Sequence, residues 1–319
     1  MHFLPDPIDP AVSRTALMVC AYCALTARHP AFAKAFRDPF AEPLYRLAAR
    51  EGDALMERTP DWPAVERVVL AEGGVAATAL TSVVWRKRWI EDHARRALED
   101  GIRRVVVLGG GLDTLALRLA PAFPAASFIE VDRTETQRVK RRLAAQVAGI
   151  PDNLAFVEAD LAITPLEAVL SESSGPTLLI AEFVLEYLPP EAVARLFGSF
   201  RPLIGAQGRL IFTFMSKPSL ETEPLARRYA EAAEAIGEPI RWRLDPALLS
   251  GFLRDHGLRA RDRLNTRVLI DSYLDRIGIN VPGVVPERPV DTLHMVLASA
   301  NHPSPSRSAG PSLSHKGRR

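Results

Sequence analysis

Three acids and a run of glycines carry the chemistry legible in this chain. Leu108-Gly109-Gly110-Gly111-Leu112-Asp113 follows a short apolar run, and three glycines allow a tight turn with close backbone approach to a ligand. A helix starting after such a loop turns its first amides toward an anionic group. Glu130-Val131-Asp132 closes the next apolar segment, 23 residues beyond Gly109. An acid at about that spacing reaches a ribose hydroxyl. Glu158-Ala159-Asp160-Leu161 closes a third segment; there a carboxylate can accept from an exocyclic amine such as adenine N6, with Leu161 over the ring. Taken singly, the glycines read as an ordinary turn and each acid as a surface charge. Together they point to a nucleoside-containing cofactor. The dinucleotide fingerprint G-x-G-x-x-G would need glycine where Thr114 stands, and three strand-end acids suit a cationic adenosyl ligand better than an anionic dinucleotide. S-adenosyl-L-methionine is such a ligand.

The elements that must position these residues alternate. Val105-Val106-Val107-Leu108 is a continuous apolar run, as in a strand buried on both faces. Further strands are predicted over 127–132, 153–160, 176–183, 209–215, 259–265 and 292–299. A helix is expected over 78–99, with Trp85 and Trp89 one turn apart and Gly101 at its end. Thr134 with Gln137 reads as a capping box opening a helix that stops at Gly149, Pro190 as a first helical residue, and 216–257 as two helices. Residues 1–60 read as irregular helices broken near Pro30, Pro39 and Pro43. Strand–helix alternation of this kind predicts a parallel sheet with helices on both faces. Its ligand site lies beyond the carboxyl ends of the strands.

At this point the sequence resembles the leucine carboxyl methyltransferase family, which includes bacterial O-methyltransferases of polyketide and other secondary metabolism. The motifs that carry the resemblance are Leu108 to Thr114, Glu130 to Asp132, Asp160-Leu161 and Glu182-Phe-Val-Leu-Glu-Tyr-Leu188, in the family's order, within a match from about Ser13 to Ser299. The resemblance implies an α/β class I methyltransferase (Rossmann-like) fold: a seven-stranded, mostly parallel sheet with an N-terminal helical lid. It implies that Gly109 and Gly111 line the methionine moiety, that Asp132, with Glu130 as a second candidate, holds the ribose, and that Asp160 and Leu161 hold the adenine. Glu182 would approach the methionine ammonium or the substrate edge. Arg86, ahead of Arg88, would meet the methionine carboxylate. Glu186 and Tyr187 are candidate substrate contacts. Asp38-Pro39-Phe40-Ala41 matches the family's Asp-Pro-x-Ala turn, expected to cap the cofactor site. Many members carry a basic residue where Cys23 stands, so a second carboxylate contact from that helix is not expected here.

Composition bounds the rest. With 47% hydrophobic and 24% charged residues among 319, the chain is of ordinary globular type. The net charge of +2 is misleading, because four basic residues and no acid fall in 302–319, leaving −2 on the body. This argues against a nucleic-acid surface, and the Ser-, Pro- and Gly-rich tail is expected to be disordered. No run suits a membrane span and the N-terminus does not read as a signal peptide, so a cytoplasmic protein is expected. Two cysteines make no disulfide framework or zinc site, and Cys20 and Cys23 read as packing residues. His29, His93 and His256 fall outside the predicted strand-end loops, so no general base is assigned and no metal is expected. The expected organisation is a helical cap over 1–100, a methyltransferase domain over 101–301 and the tail. The expected activity is S-adenosylmethionine-dependent O-methyl transfer to a carboxylate or hydroxyl of a small-molecule acceptor. The rival readings are a nicotinamide-dependent oxidoreductase and a non-catalytic cofactor-binding protein; oligomeric state is left open.

Overall fold

A computed structural model of the chain describes residues 12–28, 32–49, 75–171, 175–265, 268 and 292–301. His29, Pro30 and the 302–319 tail lie outside them. In chain order the described elements are α1 (Arg14–Arg28), α2 (Phe32–Ala35), α3 (Ala41–Ala48), α4 (Val75–Glu99), β1 (Arg104–Leu108), α5 (Leu115–Leu119), β2 (Ser127–Asp132), α6 (Thr134–Val147), β3 (Leu154–Glu158), β4 (Thr177–Ala181), α7 (Pro190–Ile204), β5 (Arg209–Met215), α8 (Lys217–Thr222), α9 (Pro224–Ala235), α10 (Leu249–Asp255), β6 (Leu258–Asn265) and β7 (Leu293–Ala300).

The seven strands form one sheet in the order β3-β2-β1-β4-β5-β7-β6. β1 is central, pairing in parallel with β2 (Val106↔Ile129) and with β4 (Val106↔Leu179). Strand order therefore reverses between β1 and β4, and the crevice beyond their carboxyl ends is the switch point where such sheets bind ligands. β7 runs antiparallel to both β5 and β6.

Pleating explains why an unbroken apolar run works for β1. Val105 and Val107 pack into a cluster with α1, α4, α5 and α6, while Val106 and Leu108 pack with α7 and α10 on the other face. On that second face Phe197 meets Phe212 edge-on at 5.2 Å and Phe252 at 4.6 Å, pairs worth about 0.5–1.5 kcal/mol each beyond their buried area. The N-terminal helices share the first cluster with the sheet.

The strands and the helices over 75–99, 134–147 and 190–204 agree with the sequence reading, and α4 and α6 end at Gly101 and Gly149 as the spacing predicts. Two expectations are corrected. Residues 216–257 form three helices, α8 to α10, because Pro224 restarts the chain as a first helical residue after α8 ends at Thr222. The Thr134/Gln137 capping box does not form. Gln137 is buried, and its Nε2 donates instead to the carbonyls of Glu130 (2.6 Å) and Val157 (3.3 Å), tying β2 to β3.

Candidate active site

A cavity of about 350 Å³ opens where the switch point predicts. Its floor is the loop from β1 into α5. Gly109 and Gly111 have φ of 63° and 48°, which side chains rarely adopt, and a Cβ on Gly109 would overlap Val184 Cγ2. Asp132 anchors this loop from the end of β2: Oδ2 accepts from Gly111 N–H at 2.6 Å and Oδ1 from Arg133 N–H at 2.7 Å. Burial raises its carboxyl above the ordinary value, and these two amides pull it back in part. Asp160 uses Oδ1 to accept from Ala162 N–H at 2.8 Å, and Arg195 holds the same turn through the carbonyls of Leu161 and Ala162. Arg86, Gly109, Gly111, Asp132, Asp160, Leu161, Glu182 and Tyr187 all line the cavity, so the structure brings together eight of the ten residues singled out from the sequence.

Glu130 and Glu186 are the two exceptions. Glu130 is 1% exposed and ion-paired with Lys140 of α6 beneath the glycine loop. Burial raises its carboxyl, and the Lys140 ammonium offsets only part of that. Of the two candidate acids on β2, only Asp132 lines the cavity. Glu186 is fully buried; its Oε1 accepts from Thr213 Oγ1 at 2.7 Å, and that oxygen accepts from Phe183 N–H at 2.8 Å. Glu186 therefore does not touch a substrate in this cavity. Burial pushes its carboxyl up to about 7 from 4.5, against the Thr213 hydrogen bond and the Arg86 charge. The folded protein then binds more protons than the unfolded chain between those values, so this group's contribution falls as pH rises. Wild type is expected to lose roughly 1 kcal/mol relative to Glu186→Gln between pH 6 and pH 8. Denaturant titrations of both proteins at the two pH values measure it; parallel pH dependences would remove the claim.

The wall beside the glycine loop is ionic. Arg86 Nε donates to Glu182 Oε1 at 2.5 Å, and Lys87 Nζ bridges Glu182 Oε2 (2.9 Å) and Asp113 Oδ2 (3.0 Å). Burial opposes the charge of Arg86 and of Lys87, but the facing carboxylates outweigh it and raise both. Burial would also raise Asp113, yet Lys87, Lys140 and Arg118 hold it well below the usual carboxylate range. Arg86 also lies 4.5 Å over the ring of Phe183, a residue with φ of 49°. A non-glycine residue there stores about 1–3 kcal/mol and persists only where its surroundings hold it.

The roof joins distant parts of the chain. Glu238 reaches the start of α1, accepting from Ser13 Oγ (3.0 Å) and from the amides of Arg14 (2.8 Å) and Thr15 (3.2 Å). A carboxylate is favoured at this positive helix end.

Other expectations are placed elsewhere. Asp38 does not line the cavity. Its Oδ1 accepts from Phe40 and Ala41 amides at the start of α3, and its Oδ2 accepts from Thr114 Oγ1 at 2.6 Å, so the turn braces the glycine loop from behind. Arg88 pairs with Asp92 and reaches the carbonyl of Ala35, away from the cavity. His93 packs on Trp89 and pairs with Asp262, and His256 packs on Phe197 and Phe252. Cys20 and Cys23 are buried; the Cys20 thiol donates to Ala41 O, and burial pushes the Cys23 thiol up to about 12.

A model of the leucine carboxyl methyltransferase family matches residues 16–201. This chain belongs to that family. A relative from Mycobacteroides abscessus, named as a candidate S-adenosyl-L-methionine-dependent methyltransferase, is 30% identical over 82% of this chain and 89% of its own. One from Mycobacterium avium with the same name is 31% identical over 86% and 84%. The solved structure of a candidate methyltransferase from Thermobifida fusca is 18% identical, with a TM-score of 0.51 over 80% of this chain and all of that one, a likeness of fold. The protein is a methyltransferase with S-adenosyl-L-methionine as cofactor, which sets aside the oxidoreductase reading. The cavity fits that group: backbone glycines, acids at the ends of β2 and beyond β3, and a cation beside an anion on the ionic wall. Sequence reasoning assigned no role to Lys87, which lies between the two candidate arginines, or to Asp113, which closes the glycine motif. It also gave no role to Phe183, although that residue lies within the Glu182 to Leu188 motif, and it missed Glu238, which has no local signal.

Proposed function

We propose that the protein methylates an oxygen, on a carboxylate or hydroxyl, of a small molecule, with a carboxylate as the favoured acceptor. In this reading Asp132 holds the ribose hydroxyls, Asp160 and Leu161 the adenine, and Gly109 and Gly111 present backbone to the methionine segment. Arg86 takes the carboxylate of that segment and Glu182 its ammonium. When bound, the cofactor supplies an electrophilic methyl carbon on a sulfonium. The chain's own work is then to orient the acceptor and exclude water, and the roof formed by α1 and the Glu238 loop suits that task. Tyr187 lies on the cavity wall as a contact for the acceptor.

The observation that carries the preference is that the acids lining the cavity are already engaged. Glu182 faces Arg86 and Lys87, Asp113 faces Lys87, Glu238 caps α1, Asp132 takes two amides and Asp160 takes the Ala162 amide. Burial pushes the Tyr187 phenol well above its usual value, and the described lining includes no histidine. A carboxylate acceptor is ionised near neutral pH and needs no base, whereas a hydroxyl usually needs one. The cavity's size supports a small acceptor, in keeping with secondary metabolism. No described helix is long and apolar enough to cross a membrane, and two buried free cysteines agree with a reducing, cytoplasmic setting.

Incubation with radiolabelled methyl donor and a fractionated extract of the source cells tests this reading. A labelled small molecule that releases methanol in mild alkali is expected. An alkali-stable label on an ether would move the acceptor to a hydroxyl. Label on nitrogen, or only on macromolecules, would overturn the proposal.

A further inference from the structure

We infer that Thr213 and Glu186 are positioning residues of the methyl-transfer site: they lock Phe183 in its left-handed conformation so that its ring carries Arg86 at the cavity wall. Neither residue lines the cavity, and both are fully buried. The contacts form an unbroken series. Glu186 Oε1 accepts from Thr213 Oγ1 at 2.7 Å, Thr213 Oγ1 accepts from Phe183 N–H at 2.8 Å, and the Phe183 ring lies 4.5 Å from the Arg86 guanidinium carbon.

Phe183 follows β4 by two residues, next to Glu182, so any relaxation of its backbone moves both the ring under Arg86 and the carboxylate that Arg86 and Lys87 grip. The amide that fixes this backbone has one acceptor, a hydroxyl supplied by β5. Glu186 is held in turn from its other side, since its carbonyl accepts from the amides of Arg241 (2.8 Å) and Trp242 (3.1 Å). The same short turn thus braces Phe183 on one wall and the Arg241 segment on another.

Packing alone does not account for a carboxyl at this place. Its Oε2 has no hydrogen-bond partner among the described residues, and the polar groups whose charge or hydrogen bonding acts on this carboxyl are Thr213, Arg86, Glu182, Tyr187 and Tyr229. An apolar side chain would fill the volume without leaving an unmatched buried oxygen. What such a side chain could not do is accept the Thr213 proton and so orient the hydroxyl toward Phe183.

The inference rests on Arg86 holding the cofactor, and calorimetric binding of S-adenosylhomocysteine tests the two claims separately. Thr213→Val keeps the shape and removes the hydroxyl; its affinity is expected to fall about 10-fold, and Thr213→Ser to stay within about 2-fold of wild type. Thr213→Ala removes the same oxygen and gives the same reading if the valine variant does not fold. A merely structural role predicts a lower melting temperature with affinity unchanged, and that result would overturn the positioning role. Arg86→Lys keeps the charge but loses the planar group over the ring. Weakened binding in Arg86→Lys with none in Thr213→Val overturns the inference and leaves the cofactor assignment standing. No weakening in either overturns both.

Discussion

Asp132→Ala is expected to bind S-adenosylhomocysteine at least about 100-fold more weakly than wild type, as read by calorimetry. Two losses combine. In the proposed assignment the carboxylate meets the ribose, and hydrogen bonds to a charged group contribute about 1.5–3 kcal/mol. The same carboxylate also takes the Gly111 amide at 2.6 Å, so its removal frees the loop that forms the cavity floor. Asp132→Asn keeps an acceptor but not the charge and should fall between, near 10-fold. Affinity unchanged in the alanine variant would reject the site.

The second large effect is on stability. Lys140 and Glu130 are a fully buried ion pair below the glycine loop, and Lys140 Nζ also approaches Gly110 O at 3.4 Å. Removing one member of such a pair costs about 3–5 kcal/mol, because the other charge stays buried alone. Lys140→Met is therefore expected to lower the melting temperature by roughly 6–15 °C. The loss should shrink at pH 5, since Glu130 can then take up a proton, and adding Glu130→Gln should restore most of it. A neutral Lys140→Met would show that the pair holds nothing.

The sheet was readable because its signal is local. Val105 to Leu108 is apolar at every position, as a strand covered on both faces must be, and the glycines and strand-end acids sit at spacings fixed by the turn geometry. What the spacing could not show is which of two acids on β2 meets the cavity. Glu130 and Asp132 are two residues apart, and the choice was made by Lys140, which the sequence shows only within the charged stretch Lys140-Arg141-Arg142. Thr114 is a similar case. Standing where a dinucleotide motif would have glycine, it accepts from Arg118 one helical turn on and donates to Asp38, a partner 76 residues away in sequence that no local pattern announces. The left-handed Phe183 and the Thr213–Glu186 contact that holds it likewise depend on β5 lying beside β4, which pairing alone establishes.

β7 lies between β5 and β6, not at the margin of the sheet. It is also the last of the described strands to leave the ribosome. Until it arrives, β5 has an open hydrogen-bonding edge and β6 lacks the partner it has among the described strands. Synthesis therefore carries a long interval in which a half-built sheet can recruit a foreign strand. Removing the final strand would not trim the protein but split its sheet in two.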